Sequence, residues 1–318
     1  MSTPAKVFID GEGGTTGLQI LSRLSGRADI ELLEIESVRR KEISARAEAL
    51  NAADIAILCL PDAAARDAVG LIENPTTRII DASTAHRTTE GWVYGFPEYD
   101  AGQRSRIQTS TRISNPGCYA IAAVAILHPL VEAGLLPSDW PVSINGISGY
   151  SGGGKTLIAA FETGLDGAPP INSTTYDYAL DLDHKHVPEI TRWGGLSHPP
   201  IFLPAVGRFY KGMLVHVPLP LWALPRNPSS RDVHDVYRSS YGEEHFVTIA
   251  DFDLGQSMSD LDPQSLNDTN ELRLHILHND ANGQALVVGL LDNLGKGASG
   301  QVVQTVNLLL GFDEGLGL

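Results

Sequence analysis

Val7-Phe-Ile-Asp-Gly-Glu-Gly-Gly-Thr-Thr-Gly17 carries the chain from a short apolar run into a glycine-rich turn, and Leu18-Gln-Ile opens a helical pattern directly behind it. Glycine at 11, 14 and 17 gives the spacing G-x-x-G-x-x-G, a variant of the dinucleotide-binding fingerprint. Glycines in such a turn allow tight chain reversal and close approach of backbone to a pyrophosphate, whose charge then meets the unpaired amides at a helix start. The expected cofactor contacts here are Gly11, Gly13, Gly14, Thr15, Thr16 and Gly17. The strand, turn and helix context favours this over a purely structural turn.

Working outward, strand-like runs at 7 to 10, 30 to 35, 55 to 60 and 79 to 81 alternate with helical patterns at 17 to 24 and 63 to 72. That rhythm predicts a parallel sheet with covering helices, and the unbroken apolarity of the strands fits burial on both faces. From Val142 the texture changes to strand patterns at 201 to 203, 213 to 219, 246 to 250 and 271 to 278. These predict a mixed or antiparallel sheet. Residues 225 to 230 and 260 to 270 read as loops, and 298 to 310 as a late apolar helix. A chain of 318 residues is long for one core. The expected fold is α/β: a Rossmann-like nucleotide-binding domain over 1–117, completed by the C-terminal helix of 298–318, and an α+β catalytic and oligomerisation domain with a mixed sheet over 118–297.

A net charge of -15 disfavours nucleic acid and anionic membrane as partners. The polar start, and the lack of any apolar run near the ~20 residues a bilayer requires, predict a cytoplasmic protein. Two cysteines, Cys59 and Cys118, make no disulfide framework. Cys59, in Ile55-Ala-Ile-Leu-Cys-Leu60, reads as a small residue on a buried strand.

Asn115-Pro-Gly-Cys118 instead delivers a thiol to the start of a long apolar helix predicted from 119 to 136. Unpaired first-turn amides and the helix dipole favour a thiolate there, so Cys118 reads as a nucleophile. Amides near 117 to 119 are candidates to receive an oxyanion. His184-Lys-His186-Val-Pro-Glu189 places two imidazoles and a carboxylate within six residues. We expect His186 to work as acid and base, His184 to contact substrate or phosphate, with those two roles exchangeable, and Glu189 to orient His186. A zinc site is disfavoured, since only Asp181 and Asp183 add nearby ligands and the cysteines lack metal spacing. Ser148-Gly149-Tyr-Ser-Gly152-Gly-Gly-Lys155 is a second glycine-rich turn, suited to an anionic substrate or a nicotinamide ribose, or to a hinge. It lacks the first glycine of a phosphate loop.

At the end of the second predicted strand, Glu34 and Glu36 would suit the ribose hydroxyls of NAD. Ser37, Arg39, Arg40 and Lys41 would suit the 2′-phosphate of NADP, unless they form a solvated loop. The reading leans to NADP(H).

With these pieces assembled, the chain resembles the N-acetyl-γ-glutamyl-phosphate reductase family and, more distantly, aspartate-semialdehyde dehydrogenases. The resemblance covers essentially the whole chain. It is carried by the Gly11 to Gly17 turn, Asp81-Ala-Ser-Thr-Ala-His-Arg87, Tyr94-Gly-Phe-Pro-Glu98, Asn115-Pro-Gly-Cys-Tyr119, Ser148-Gly-Tyr-Ser-Gly152, His184-Lys-His-Val-Pro-Glu-Ile190 and Asp292-Asn-Leu-Gly-Lys-Gly297. It departs from the family at Gly13, where serine is usual, and at Ala120, where proline is usual. The short span between Lys41 and Ala53 marks a short form. The resemblance implies NADPH-dependent reduction of an acyl phosphate through a Cys118 thioester, and a homodimer or homotetramer. It further implies cofactor contacts from Ser83, Ser148, Gly149, Gly152 and Asn293, and substrate contacts from Asn115, Lys155, Arg87, Tyr178 and Lys211.

Overall fold

The computed structural model describes residues 3–36, 38–40, 42–252 and 261–318, in two compact units. The first comprises Met1–Pro97, Ala101–Pro116 and Ala298–Leu318; the second comprises Glu98–Asp100 and Gly117–Gly297.

In the first unit β1 (Ala5–Asp10), α1 (Thr15–Leu24), β2 (Ile30–Leu33), α2 (Ile43–Ala52), β3 (Ile55–Leu58), α3 (Asp62–Gly70), β4 (Arg78–Asp81), β5 (Val93–Tyr94), α4 (Gln103–Thr109) and β6 (Arg112–Ser114) follow in turn. The strands form one sheet in the order β2-β1-β3-β4-β6-β5, with every neighbouring pair parallel. This is the expected parallel α/β layer. Successive side chains of β1 enter opposite cores: Val7 and Ile9 pack with Ile20, Ile57 and Val302, while Phe8 packs with Leu50, Ala68 and Ile79. Two covered faces explain why the strands read as continuous apolar runs rather than alternating ones. The order reverses at β1, with β2 on one side and β3 on the other. At such a switch point the crevice at the carboxyl ends of the strands is where α/β sheets take ligands, and the Gly11 to Gly17 turn lies there.

The C-terminal helix, Gly300–Leu310, belongs to this unit and supplies Val302, Val303, Val306, Leu308 and Leu309 to its core. Arg27 ties it down, with Nη1 donating to Asn307 Oδ1 at 2.7 Å. The helix stops at Gly311, whose φ of 74° is left-handed.

The second unit begins with α5 (Cys118–Glu132) and continues through β7 (Ser143–Gly149), α6 (Gly154–Glu162), β8 (Thr175–Asp177), α7 (Val187–Trp193), β9 (Ile201–Gly207), β10 (Met213–Pro220), α8 (Ser230–Tyr241), β11 (Val247–Ile249), β12 (Leu272–Asn279) and β13 (Gln284–Leu291). Its sheet runs β11-β12-β13-β10-β7-β9-β8. The pairing is mixed, as expected, with β7/β9 and β11/β12 parallel and the rest antiparallel. From Tyr119 to Leu127 every residue of α5 is buried. Two phenols of α8 are anchored on its backbone, Tyr237 Oη on Ile126 O and Tyr241 Oη on Ala125 O, at 2.8 and 3.1 Å. The helix predicted to reach 136 ends at Glu132. Gly134 adopts φ 67° and Leu135 N reaches back to Leu130 O, a left-handed reversal that closes the last carbonyls.

Candidate active site

The nucleotide turn is built by close backbone approach. At Gly11, with φ +89°, a Cβ would lie 2.3 Å from Cys59 O, and at Gly17 one would lie 2.6 Å from Gly11 O. Gly14 N donates to Gly11 O at 3.0 Å and Gly14 caps α1 through backbone alone, leaving the first-turn amides of a ten-residue helix without a side-chain cap. Thr15 Oγ1 is buried with no hydrogen-bond partner. An enclosed, unsatisfied hydroxyl at a helix start beside a glycine cradle fits a phosphate group, so this turn suits the pyrophosphate of a dinucleotide.

The basic residues after β2 are less available than the sequence suggested. Arg40 pairs with Glu12 of the glycine turn at 2.6 Å. Arg39 pairs with Glu42 and Glu48 at 3.0 and 3.4 Å. Ser37 and Lys41 lie outside the described residues. Arg46, which no sequence motif marks, pairs with Asp10 at the end of β1, at 2.7 Å.

In the loop after β4, Ser83 is fixed on Asp81: its N–H and Oγ donate to the two carboxylate oxygens at 2.9 and 2.8 Å. His86 Nδ1 meets the same carboxylate at 2.6 Å, and its ring stacks on Trp92. Arg87, expected on the substrate, is 7% exposed, with Nε on Asn115 O at 3.0 Å and Nη2 on Ala82 O at 3.2 Å. Its guanidinium braces the turn that leads to Cys118. Asn115 donates through Nδ2 to Pro116 O and Ala298 O, both at 3.3 Å. Its Oδ1 is buried with no partner.

Cys118 is the first residue of α5, with Gly117 as the cap. Gly117 N–H donates to Glu189 Oε1 at 2.8 Å, so this amide is already engaged and any oxyanion must use amides further along. The bond also gives Glu189, 1% exposed, a task that sequence did not assign. It holds the turn carrying the thiol, 72 residues away. The two imidazoles gather beside Tyr119: ring centres lie 6.0 Å from it for His184, 6.1 Å for His186, and 4.7 Å from each other. His184 Nδ1 accepts from the backbone N–H of His186 at 3.1 Å, which puts the proton of a neutral ring on Nε2, facing Tyr178 Oη at 3.4 Å. Burial, and after it the charges of Tyr178 and Cys118, hold the Tyr119 phenol well above its ordinary range. Burial and then the Cys118 charge do the same for Tyr178. Both phenols therefore stay protonated. Tyr119 Oη donates to Ala205 O at 2.8 Å, and the ring lies flush on Gly146, where a Cβ would be 2.5 Å from Cε1.

Ser148, Gly149, Gly152 and Asn293 converge in the second glycine-rich turn. Asn293, 1% exposed, accepts from Gly212 N at 2.8 Å and donates to Ser151 Oγ at 3.1 Å. Gly149 abuts Tyr210 and Lys211, where a Cβ would come within 2.6 Å of backbone. Lys211 is ion-paired with Asp268 and lies 3.6 Å from Asp292 Oδ2, so its charge is locally compensated. Lys155 stands exposed at the second position of α6. Among the described residues no group of three or more His, Cys, Asp or Glu could hold a metal ion, and no helix is long and apolar enough to cross a membrane.

Residues 6–107 match the family model of the semialdehyde dehydrogenase NAD-binding domain, and 118–293 that of the semialdehyde dehydrogenase dimerisation domain. Among solved structures, aspartate semialdehyde dehydrogenase from Francisella tularensis shares the fold with a TM-score of 0.71 at 12% identity, covering 96% of this chain and all of its own. Aspartate semialdehyde dehydrogenase II from Vibrio cholerae gives 0.67 at 15% identity, over 98% and 99% of the two chains. The N-acetyl-gamma-glutamyl-phosphate reductase of Chelativorans sp. is 52% identical over 96% of this chain and 98% of that one. The protein of the same name from Trichormus variabilis is 49% identical over 98% and 99%. On identity of this extent, the chain belongs to the N-acetyl-γ-glutamyl-phosphate reductase family of the semialdehyde dehydrogenases.

Proposed function

We propose that this chain reduces N-acetyl-γ-glutamyl phosphate to N-acetylglutamate 5-semialdehyde and inorganic phosphate with NADPH, a step of arginine biosynthesis, and that Cys118 is the nucleophile. The observation that carries the reading is a cysteine on the first residue of a fifteen-residue helix, its charge reaching two protonated tyrosines, of which Tyr119 has both imidazoles gathered about its ring. First-turn amides stabilise the thiolate and, after attack on the acyl carbon, the oxyanion. Phosphate leaves and a thioester remains on Sγ. Bound NADPH supplies the hydride that takes this carbon to the aldehyde level; Thr15, Thr16 and the glycine turn would hold its pyrophosphate, with Arg40 toward the 2′-phosphate. Expulsion of the thiolate then releases the aldehyde. His186 carries the proton, and His184 Nδ1 holds the backbone of that residue by accepting its N–H. Lys155 meets the substrate's anionic end. Arg87 and Glu189 act by fixing the turn around Cys118.

The segment 118–297 is then the catalytic and oligomerisation domain, a reading supported by the dimerisation-domain match over 118–293, and the enzyme is a cytoplasmic homodimer or homotetramer. Purified protein is mixed with NADP, phosphate and N-acetylglutamate semialdehyde, and NADPH absorbance is followed. Turnover that disappears in Cys118→Ser is expected. Turnover with aspartate semialdehyde alone would reassign the substrate, and full activity of Cys118→Ser would remove the thioester.

A further inference from the structure

Lys296 and Glu98 are both fully buried, with Nζ 2.8 Å from Oε1, and the reaction above uses neither. Glu98 belongs to the three residues Glu98–Asp100 that count with the second unit, although they fall within the span 1–117 expected of the first; Lys296 lies one residue before that unit's chain ends at Gly297. Burying two opposite charges carries a desolvation penalty that their attraction returns only in part, and apolar pairs of similar volume are often as stable or more so. Stability alone therefore does not account for the pair. What charges add over methyl groups is direction.

The residue directed is Gly297. A Cβ there would lie 2.8 Å from Cys118 Cβ, 3.3 Å from Cys118 Cα and 3.2 Å from Asp292 O, so only hydrogen fits between this backbone and the first residue of α5. Lys296 and Gly297 sit in a π-helical turn, Gly295–Ser299, in which Gly297 N reaches back to Asp292 O at 3.0 Å. Such turns are rare and concentrate at functional sites. The turn is gripped from its other end too, since a Cβ on Gly295 would lie 2.2 Å from Thr269 O. Around the pair, the Phe246 ring centre is 5.4 Å from Nζ, and the Glu98 charge reaches Tyr241, whose hydroxyl is anchored on α5.

We propose that the Lys296–Glu98 ion pair positions the nucleophile: it locks the π-helical turn so that the Gly297 backbone presses on Cys118 and fixes the direction of its sulfur. Lys296 and Glu98 are positioning residues and touch neither substrate nor cofactor. The proposal rests on Cys118 being the nucleophile, and alkylation of that thiol, which needs no acyl phosphate, reads it separately from turnover.

Two variants test it: the charge-free double variant Lys296→Met with Glu98→Met, and Gly297→Ala. For each, thermal unfolding, kcat and KM, and the pH dependence of iodoacetamide labelling at Cys118 are measured. The double variant is expected to unfold no earlier than the parent while kcat falls about 10- to 100-fold at nearly constant KM, the scale for a misplaced reacting group. The midpoint of its labelling profile moves to higher pH. Gly297→Ala, which pushes on Cys118 directly, is expected to show the same pattern. A folded double variant with the parent's kcat or the parent's labelling profile overturns the proposal. If the double variant does not fold, an unchanged labelling profile in Gly297→Ala overturns it. Turnover surviving Cys118→Ser would instead overturn the function while leaving the labelling comparison readable.

Discussion

Replacing Gly17 with alanine isolates the contribution of close approach in the nucleotide turn. Its φ is not left-handed, so the substitution brings no backbone strain of its own. The added Cβ would stand 2.6 Å from Gly11 O, 2.8 Å from Glu12 Cα and 2.9 Å from Glu12 C. All three are backbone atoms of the turn, and no side-chain rotation relieves them. Overpacking of this kind costs ~1–3 kcal/mol. Here the displaced element is the one that aims the α1 amides, so the penalty falls on cofactor binding. At about 1.4 kcal/mol per tenfold, NADPH affinity drops roughly 5- to 150-fold. Gly70→Ala is the matched control, because Gly70 is exposed at the end of α3, outside the glycine turn, and a Cβ there meets nothing within 4 Å; its affinity should stay within about twofold, the range of an unobstructed surface change. Fluorescence titration with NADPH, alongside thermal unfolding, measures both. Gly17→Ala binding like the parent, or Gly70→Ala losing as much as Gly17→Ala, would refute the role of close approach.

Burial, with the charges of Asp81 and Asp10 adding to it, pushes the Cys59 thiol up to about 12. Iodoacetamide at mildly alkaline pH should therefore modify Cys118 and spare Cys59 in the native protein; peptide mass spectrometry showing equal labelling would contradict this. His128, stacked on Tyr99 with ring centres 3.9 Å apart, titrates below its ordinary value because of burial, against a smaller opposing pull from Glu132 and Asp100. The unfolded chain thus binds the extra proton more readily, so this ring's contribution is full above the unfolded value of about 6.5 and is lost as pH falls through the folded one. Between pH 7 and 5 the parent's melting temperature should fall more than that of His128→Phe, and parallel slopes would refute the assignment. Arg27 grips Asp29 at 2.6 Å and Asn307 at 2.7 Å. Its replacement by alanine should destabilise by ~1–3 kcal/mol in urea unfolding, the scale for lost bonds to a charged group; an unchanged midpoint would show the clasp contributes nothing.

Most of the architecture was legible because its signals are local. The glycine spacing, the continuous runs at 55 to 58 and 79 to 81, and the coarser strands after Val142 each follow from side-chain periodicity and turn chemistry over a few residues. Cys118 at a helix start is equally local. Helix α5 stops at Glu132, short of the expected 136, because the backbone reverses at Gly134 although apolarity continues through Leu135 and Leu136. Helix length there is set by one glycine's φ, not by hydrophobicity.

The sequence by itself determined which groups exist: a thiol on a helix, a cradle of glycines, paired imidazoles, a few cations in an acidic chain. Only the tertiary structure decided how each is used. Arg87 and Lys211 looked like anion receptors, yet the first holds backbone carbonyls and the second faces two aspartates. Glu189 turned to Gly117 across 72 residues, and Lys296 to Glu98 across 198. A charged or hydrogen-bonding side chain removed from water takes the partner that packing brings within about 3 Å. Sequence counts donors and acceptors, but the chain's long-range folding chooses among them.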